Sequence, residues 1–243
     1  MRYINLLLFV SFSVLAQNKK IEVTLNSISD TPISANKAEY HIQYQIENKT
    51  ANEISFFLLP NALIANAASS LTLYPIYKIY QNGVFEDMDG PFFEYETELE
   101  LEYAKIEDKT SEAATTIVKK LQKQQEAEAL SYYTKFKESN SSSDVKWFFQ
   151  RQKLLDNIVT LQPNEIKLFT IKTLWDKNRH IKNDDLEYYL DENNHIEIEL
   201  ILDLKTNLFK DKLSKEDVEK INANPNFIEG EYKSNKLKVN FKE

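Results

Sequence analysis

The sequence predicts a mainly β protein: an antiparallel immunoglobulin-like β-sandwich with a helical insertion and one short helix near the C-terminus. Apolar and polar residues alternate with period two over long stretches, the first of which begins at Ile21. Turn residues separate these stretches. Asn82-Gly83 is the strongest hairpin signal, because the favoured turn needs positive φ at both central positions. Between residues 108 and 157 the composition changes to one rich in Ala, Gln, Lys and Glu, which favours helices.

Residues 1–16 have the pattern of a secretory signal peptide. Arg2 precedes an apolar run, and small residues lead up to Ala16. The run is shorter than the roughly 20 apolar residues of a transmembrane helix. We therefore expect cleavage after Ala16 and export of the chain from Gln17 onward to the periplasm or the extracellular space, with no membrane span in the mature protein.

The chain has 243 residues and no cysteine. This excludes disulfides, thiolate metal sites and a lipid-carrying cysteine, so we do not expect a lipoprotein. The formal net charge of −8 becomes −9 when Arg2 leaves with the signal peptide, because Lys plus Arg falls from 30 to 29 against 38 Asp plus Glu. The acidic balance opposes nucleic-acid binding, which depends on lysines and arginines that neutralise phosphates.

Residues 17–107 are predicted to form the first part of the sandwich. Two half-buried strands are expected on either side of a loop at residues 30–36. A hairpin turn at residues 47–53 then leads to an apolar strand that Pro60 ends. Residues 61–70 are small and polar, as in a loop, and a further strand precedes the Asn82-Gly83 hairpin.

The segment FEYETELELEY, residues 93–103, has a glutamate at every second position. The alternation predicts a strand with its glutamates outward, and a helix is the alternative because Tyr95 and Leu99 also lie at helical spacing. The glutamate row consists of Glu94, Glu96, Glu98, Glu100 and Glu102. Such charges discourage aggregation of an exposed edge strand, and they are also candidates for docking a cationic surface. One such surface lies within the chain, at Lys119, Lys120 and Lys123.

Residues 108–157 are predicted to form the helical insertion. Ile117, Leu121 and Leu130 give part of an apolar stripe in a first helix, and Ser143 is the expected N-cap of a second helix. The two helices are interrupted by the segment NSSSD.

Residues 158–243 are predicted to form the second part of the sandwich. A Pro163-Asn164 turn joins two strands, and another strand follows a polar loop. Ser214 and Asp217 form a capping box at the start of a short helix. Two last strands are expected on either side of a turn at residues 233–235.

Three segments carry a resemblance to a known group of domains. They are YQIENKTANEISFFL, YKIYQNGVFEDMDG and LQPNEIKLFTIKTLWD, within residues 40–90 and 158–176. Together they resemble the immunoglobulin-fold domains grouped with bacterial intracellular proteinase inhibitors. Asn164 replaces the usual glycine of the Pro-Gly-Glu turn, and the helical insertion has no counterpart in that pattern. The resemblance implies the sandwich fold rather than protease inhibition.

The candidate partner-binding residues are the glutamate row and three aromatic residues of the insertion, Trp147, Phe148 and Phe149. Exposed rings could anchor a protein partner or stack on a sugar, whereas packing of the insertion on the sandwich is the structural alternative. His195, Glu197 and Glu199 share one face of a strand, but they spread over ~13 Å, too far to converge on one ion. We expect no catalytic residue, metal or cofactor, since the chain has no nucleophile elbow and no phosphate-binding glycine loop.

The function predicted from the sequence is that of an exported, non-enzymatic binding or interaction module of the cell envelope or the extracellular space, with an unknown protein partner. A glycan-binding module is the first alternative. The second is a hydrolase that uses carboxylates, because acidic residues are plentiful although no pair stands out.

Overall fold

The computed structural model describes residues 19–65, 73–86, 92–93, 95, 97–139, 144–176 and 193–241. Within them the chain is mainly β, with antiparallel sheets and four α-helices. The strands are β1 Ile21–Ser34, β2 Lys37–Asn48, β3 Ile54–Phe57, β4 Ile64–Ala65, β5 Ile76–Gln81, β6 Val84–Glu86, β7 Ile158–Leu161, β8 Ile166–Asp176, β9 Ile196–Leu204 and β10 Gly230–Val239. The helices are α1 Glu98–Lys105, α2 Glu112–Glu138, α3 Val145–Asp156 and α4 Lys215–Ala223. The predicted signal peptide, residues 1–16, lies outside the described residues.

The first sheet has the strand order β1-β2-β8, and both pairs are antiparallel. Alternate residues of these strands are buried, as their period-two pattern predicts. The loop predicted at residues 30–36 is wrong in extent, because β1 continues to Ser34 and only a tight turn separates it from β2. Pairing with β2 keeps this polar end of β1 in the sheet although its side chains face solvent.

The second sheet has the order β10-β9-β5-β4, with β6 also paired to β5. The hairpin prediction at Asn82-Gly83 is confirmed: the two residues have φ of 50° and 83° and join β5 to β6. Part of the loop predicted at residues 61–70 is instead β4, which pairs in parallel with β5. The two strands predicted at the C-terminus form one strand, β10, with a register shift between Lys233 and Lys236 where a turn was expected.

The turns at residues 47–53 and 162–165 do not form hairpins. β3 follows β2 but pairs with β7, and β8 follows β7 but pairs with β2. The segment that joins β2 to β3 and the segment that joins β7 to β8 therefore leave the first sheet at the same level, and β3 and β7 continue as a separate two-stranded sheet. The turn residues are as predicted, with Asn164 at φ 58°, but the hairpin predicted at residues 47–53 is wrong, because β3 pairs with β7 and not with β2.

One main core joins these sheets. Its largest fully buried side chains include Tyr40 and Tyr44 of β2, Phe56 of β3 and Phe241 beyond β10. The two larger sheets also meet directly where the Asn235 side chain hydrogen-bonds the backbone of Leu25, accepting from its N–H at 2.8 Å and donating to its carbonyl at 3.1 Å.

A second, smaller core lies under α3 and α4. It contains Phe57, Leu154, Phe209 and Leu213, and the Phe57 ring contacts Phe209 edge-on with centroids 5.4 Å apart. The predicted capping box of Ser214 and Asp217 is confirmed at the start of α4. None of the helices in the described ranges is both long enough and apolar enough to cross a bilayer.

The strand predicted for residues 93–103 is wrong where the structure describes it, because residues 98–105 form α1. Thr97 accepts a hydrogen bond from the Glu100 N–H, and the Glu100 side chain accepts one from the Thr97 N–H. This capping box satisfies two backbone donors that a helix start otherwise leaves unpaired. The local cap favours the helix over the strand that the glutamate spacing suggested.

The helices expected between residues 108 and 157 are α2 and α3. The N-cap of α3 is Asp144, whose side chain accepts from the Trp147 N–H; the expected cap, Ser143, lies outside the described residues. α2 is unusual because it is exposed on all sides from residue 122 to 131. Its first half contacts α1, and its last turns contact α3.

Candidate functional site

A cleft of about 800 Å³ lies between α1, the first half of α2 and the ends of β2, β4 and β8. We call it the α1 cleft. It is lined by Lys37, Ala62, Leu63, Ile64, Tyr74, Phe93, Tyr95, Glu100, Tyr103, Ala104, Lys109, Leu121, Leu174 and Asp176. A volume of this size is within the range of small-molecule sites.

The walls of the cleft are mainly apolar and aromatic. Ala62, Leu63 and Ile64 are buried beside β5, and Leu174 is buried in β8. Phe93 is held against β8 by two hydrogen bonds: its N–H donates to the Leu174 carbonyl at 2.9 Å, and its carbonyl accepts from the Thr173 hydroxyl at 2.8 Å. These backbone contacts hold an aromatic wall in place independently of α1.

The opposite wall is α1 with the residues that follow it. Tyr103 and Ala104 face the cleft from the last turn of α1, and Leu121 faces it from α2. Lys109 stabilises the end of α1, because its ammonium group donates to the carbonyls of Tyr103 and Ala104. The buried Ala114 anchors the start of α2 beside it.

Ion pairs attach α1 to the outer face of the first sheet. Lys172 of β8 donates to Glu98 at 2.6 Å, and Lys105 pairs with Glu39 of β2. Glu39 also contacts the ring nitrogen Nε2 of His41 at 2.5 Å. Burial alone would raise the pKa of Glu39, but the hydrogen bonds from Lys105 and His41 hold that pKa below its ordinary value.

Two lysines and two carboxylates supply the charges of the cleft. Lys37 faces Asp176 with 3.7 Å between Nζ and Oδ2, which is longer than a hydrogen bond. The ammonium group of Lys109 lies over the Tyr103 ring, 4.3 Å from its centroid. Desolvation lowers the pKa of Lys109, and the nearby charge of Lys37 lowers it further. Lys37 and Lys109 thus place two positive charges on the lining of the same cleft.

The glutamate row does not form one face. Glu94 and Glu96 lie outside the described residues. Glu98, Glu100 and Glu102 are on α1. Glu98 and Glu102 are four residues apart and share one side of the helix, where they pair with Lys172 and, at 2.5 Å, with Lys105. Glu100 is turned away from them and belongs to the capping box. The ion pairs of Glu98 and Glu102 run to Lys172 and Lys105 and not to the candidate lysines of α2, Lys119, Lys120 and Lys123. Docking of the row on a cationic partner stays a prediction.

The aromatic candidates of the insertion take part in internal packing. Phe148 is buried against Phe136 of α2, with ring centroids 5.3 Å apart, and Phe149 lies 5.6 Å from Tyr132. The indole N–H of Trp147 donates to the Asp211 carbonyl at 3.1 Å. Trp147 and Phe149 keep part of their surface accessible, so their use by a partner stays a prediction.

The histidines have local partners. His41 contacts Glu39, as above, and His195 lies 3.5 Å from Glu197. Glu199 instead accepts a hydrogen bond from the Tyr80 hydroxyl at 2.7 Å. Within the ranges that the structure describes, no three His, Asp or Glu side chains are grouped so that they could hold a metal ion. His180 lies outside those ranges.

The sequence reasoning missed the α1 cleft. Its lining comes from segments that are far apart in the chain, and no motif marks Lys37 or Lys109 as neighbours. One signal was available, because Thr97-x-x-Glu100 before an apolar residue has the form of a capping box and indicates the helix that forms one wall.

Comparison of the chain with models of protein families, with curated proteins and with solved structures finds no match.

Proposed function

We propose that the chain is an exported, non-enzymatic binding module of the cell envelope or the extracellular space, and that it holds its ligand in the α1 cleft. Export rests on the pattern of residues 1–16. The observation that carries the binding site is the cleft itself, about 800 Å³ with mainly aromatic and aliphatic walls. Concave, largely apolar sites with a few placed charges are typical of ligand binding.

The carboxyl groups whose pKa is displaced are unsuited to act as the general acid of a hydrolase. A general acid in a carboxylate-dependent hydrolase needs a raised pKa. Among the described Asp and Glu residues with a displaced pKa, the displacement is downward in every case: Glu39, Glu98, Asp108, Asp217, Glu229 and Glu231. These carboxylates accept hydrogen bonds that stabilise their charged form, which suits a structural role.

A glycan is a less suitable ligand for the outer face of the second sheet. Glycan stacking uses ring faces that are open to solvent. On this face Lys236 lies 3.2 Å from the centroid of the Tyr80 ring, and Lys78 lies 5.0 Å from that of Phe85. Lysine side chains thus cover both of these rings.

We also propose that the two larger sheets form the immunoglobulin-like sandwich predicted from the sequence. Their shared core and the hydrogen bonds between Asn235 and Leu25 support it.

The neutral fluorescent probe N-phenyl-1-naphthylamine tests the binding site. We expect the mature chain to bind it, and we expect Ala104→Trp to weaken binding at least about tenfold by filling the cleft from α1. Ala129→Trp on the exposed part of α2 is the matched control, because it adds the same ring outside the cleft. Equal affinity in the two variants would place the probe elsewhere and contradict the proposal.

A further inference from the structure

We infer that the α1 cleft selects a small amphipathic anion: a molecule with an apolar or aromatic body and one anionic group, which is held at Lys109 and Lys37. The inference deepens the proposed function and rests on it. The apolar walls do not specify the charge of the ligand, whereas the positions of the charged side chains along the cleft do.

Lys109 is the first of the two cations that line the cleft. Its ammonium group contacts the carbonyls of Tyr103 and Ala104 and the ring of Tyr103. These partners carry only partial negative charge. Within the described part of the chain no carboxylate lies within 4.0 Å of its Nζ atom, so its full positive charge remains available to an anion.

Lys37 is the second cation. It lines the same cleft, and its only ion pair in the described ranges is the 3.7 Å contact with Asp176. Desolvation lowers the pKa of Lys109, and the like charge of Lys37 lowers it further, so the two cations of the cleft repel one another. An anion placed between them offsets this repulsion and gains two cationic partners at once.

The positions of the charged groups along α1 set the orientation of the ligand. Glu100 lines the cleft at the first turn of α1, where its carboxylate accepts the Thr97 N–H at 3.0 Å, whereas Lys109 lies beyond the last turn. The second carboxylate of the lining, Asp176, is offset by its ion pair with Lys37, so Glu100 decides the orientation and the anionic group belongs at the Lys109 end. The apolar body then lies along Tyr103, Leu121 and Leu63, which line the cleft.

A matched pair of dyes tests the inference. 1-Anilinonaphthalene-8-sulfonate has the same aromatic body as N-phenyl-1-naphthylamine and adds one sulfonate. We expect the full mature chain to bind the sulfonate about five- to tenfold more tightly at low ionic strength, with the preference decreasing as salt is added, because Lys109 is exposed at the rim. Fluorescence titration of both dyes measures the ratio.

Three variants locate the preference. Lys109→Met should remove most of the preference, which is taken as the ratio of the two dissociation constants in the same variant so that any loosening of the α1 wall affects both dyes alike. Lys109→Arg should retain the preference, and Lys215→Met on exposed α4 is the control. Lys109 also caps α1, so circular dichroism is recorded for each variant. If Lys109→Met loses helix, Lys37→Met decides the question, since Lys37 does not contact the carbonyls of α1.

The outcomes separate the inference from the proposed function. A preference that survives in the Lys37→Met/Lys109→Met double variant, or no preference in the natural chain, overturns the inference. The proposed site still holds in that case if Ala104→Trp blocks the neutral dye. If neither dye binds, or Ala104→Trp blocks neither, both proposals fail.

Discussion

Arg151 of α3 and Asp217 of α4 form a two-point ion pair, with Nε donating to Oδ2 at 2.5 Å and Nη2 donating to Oδ1 at 2.7 Å. Asp217 is also the N3 residue of the α4 capping box and accepts from the Ser214 N–H at 2.9 Å. One carboxylate therefore joins the insertion to the C-terminal helix and stabilises the start of that helix. Planar, bidentate pairs of this kind are the strongest ion pairs that arginine makes.

This pair predicts a specific dependence of stability on pH. Burial alone would raise the pKa of Asp217, but the hydrogen bonds from Arg151 and Ser214 outweigh it and lower the pKa from 3.8 to about 2. Because the folded pKa is depressed, the stabilisation is complete above about pH 4 and is lost as the pH falls toward 2. The loss amounts to about 2 kcal/mol.

Urea unfolding at a series of pH values measures this contribution. Asp217→Asn keeps the shape but cannot titrate, so the stability difference between the natural chain and this variant should shrink between pH 4 and pH 2. A difference that stays constant across this range would mean that another group is responsible. Lys215→Met is the control: Lys215 is close to Asp217 in sequence but exposed, so this variant should show the same dependence of stability on pH as the natural chain.

We expect replacement of the Asn48 side chain to cause the largest loss of stability among the substitutions proposed. This side chain is fully buried, and its amide donates to the carbonyls of Asn52, Leu161 and Gln162 at 2.7, 3.2 and 2.9 Å. Its oxygen accepts from the N–H and the hydroxyl of Thr50. The Asn48 side chain thus joins the turn after β2, at residues 47–53, to the turn after β7, at residues 162–165.

We expect Asn48→Ala to lower the free energy of unfolding by about 3 kcal/mol or more, because several buried polar groups lose their partner. Asn48→Asp should lower the free energy of unfolding further at pH 7, because it places a negative charge beside three carbonyl oxygens. The stability of this variant should recover relative to the natural chain as the pH falls and the carboxyl becomes protonated. Asn52→Ala, in the same turn but exposed, is the control. A loss at Asn48 no larger than at Asn52 would contradict the assignment.

The predicted export is testable at the N-terminus of the protein. When the chain is expressed with its natural start in a host that exports proteins, we expect the purified product to begin at Gln17. N-terminal sequencing or intact-mass measurement identifies the first residue. Replacing Leu7 and Leu8 with Lys should abolish cleavage, because the apolar run is then interrupted. A product of the natural chain that retains Met1 would refute export.

Local signals were predictable from the sequence, whereas long-range pairing was not. Asn82-Gly83 and the box of Ser214 and Asp217 act within four residues, so their turn and cap could be identified directly. The turn at residues 47–53 was also recognisable, but nothing near it specifies that β3 pairs with β7, about a hundred residues further along. The α1 cleft is unpredictable for the same reason, because strand pairing and helix docking bring its lysines together.

The strand wrongly predicted for residues 93–103, which include most of α1, has a different physical origin. Glutamates at every second position satisfy a strand, but Leu101 also becomes the buried residue of a short helix once Thr97 caps it. An eight-residue helix is marginal alone, so its cap and its ion pairs to the sheet are essential for its stability. We expect Thr97→Ala to lower the free energy of unfolding by about 1 kcal/mol.

The same substitution should loosen one wall of the cleft. Affinity for N-phenyl-1-naphthylamine should fall by up to about fivefold if fraying of α1 is fully coupled to binding. Thr116→Ala is the matched control: its hydroxyl donates to the Glu112 carbonyl inside α2, and alanine is the better helix former there, so stability should be unchanged or slightly higher. If Thr97→Ala lowers stability but leaves dye affinity unchanged, the first turn of α1 does not form part of the binding wall, and the ligand is held by Phe93, Leu121 and the strand ends instead.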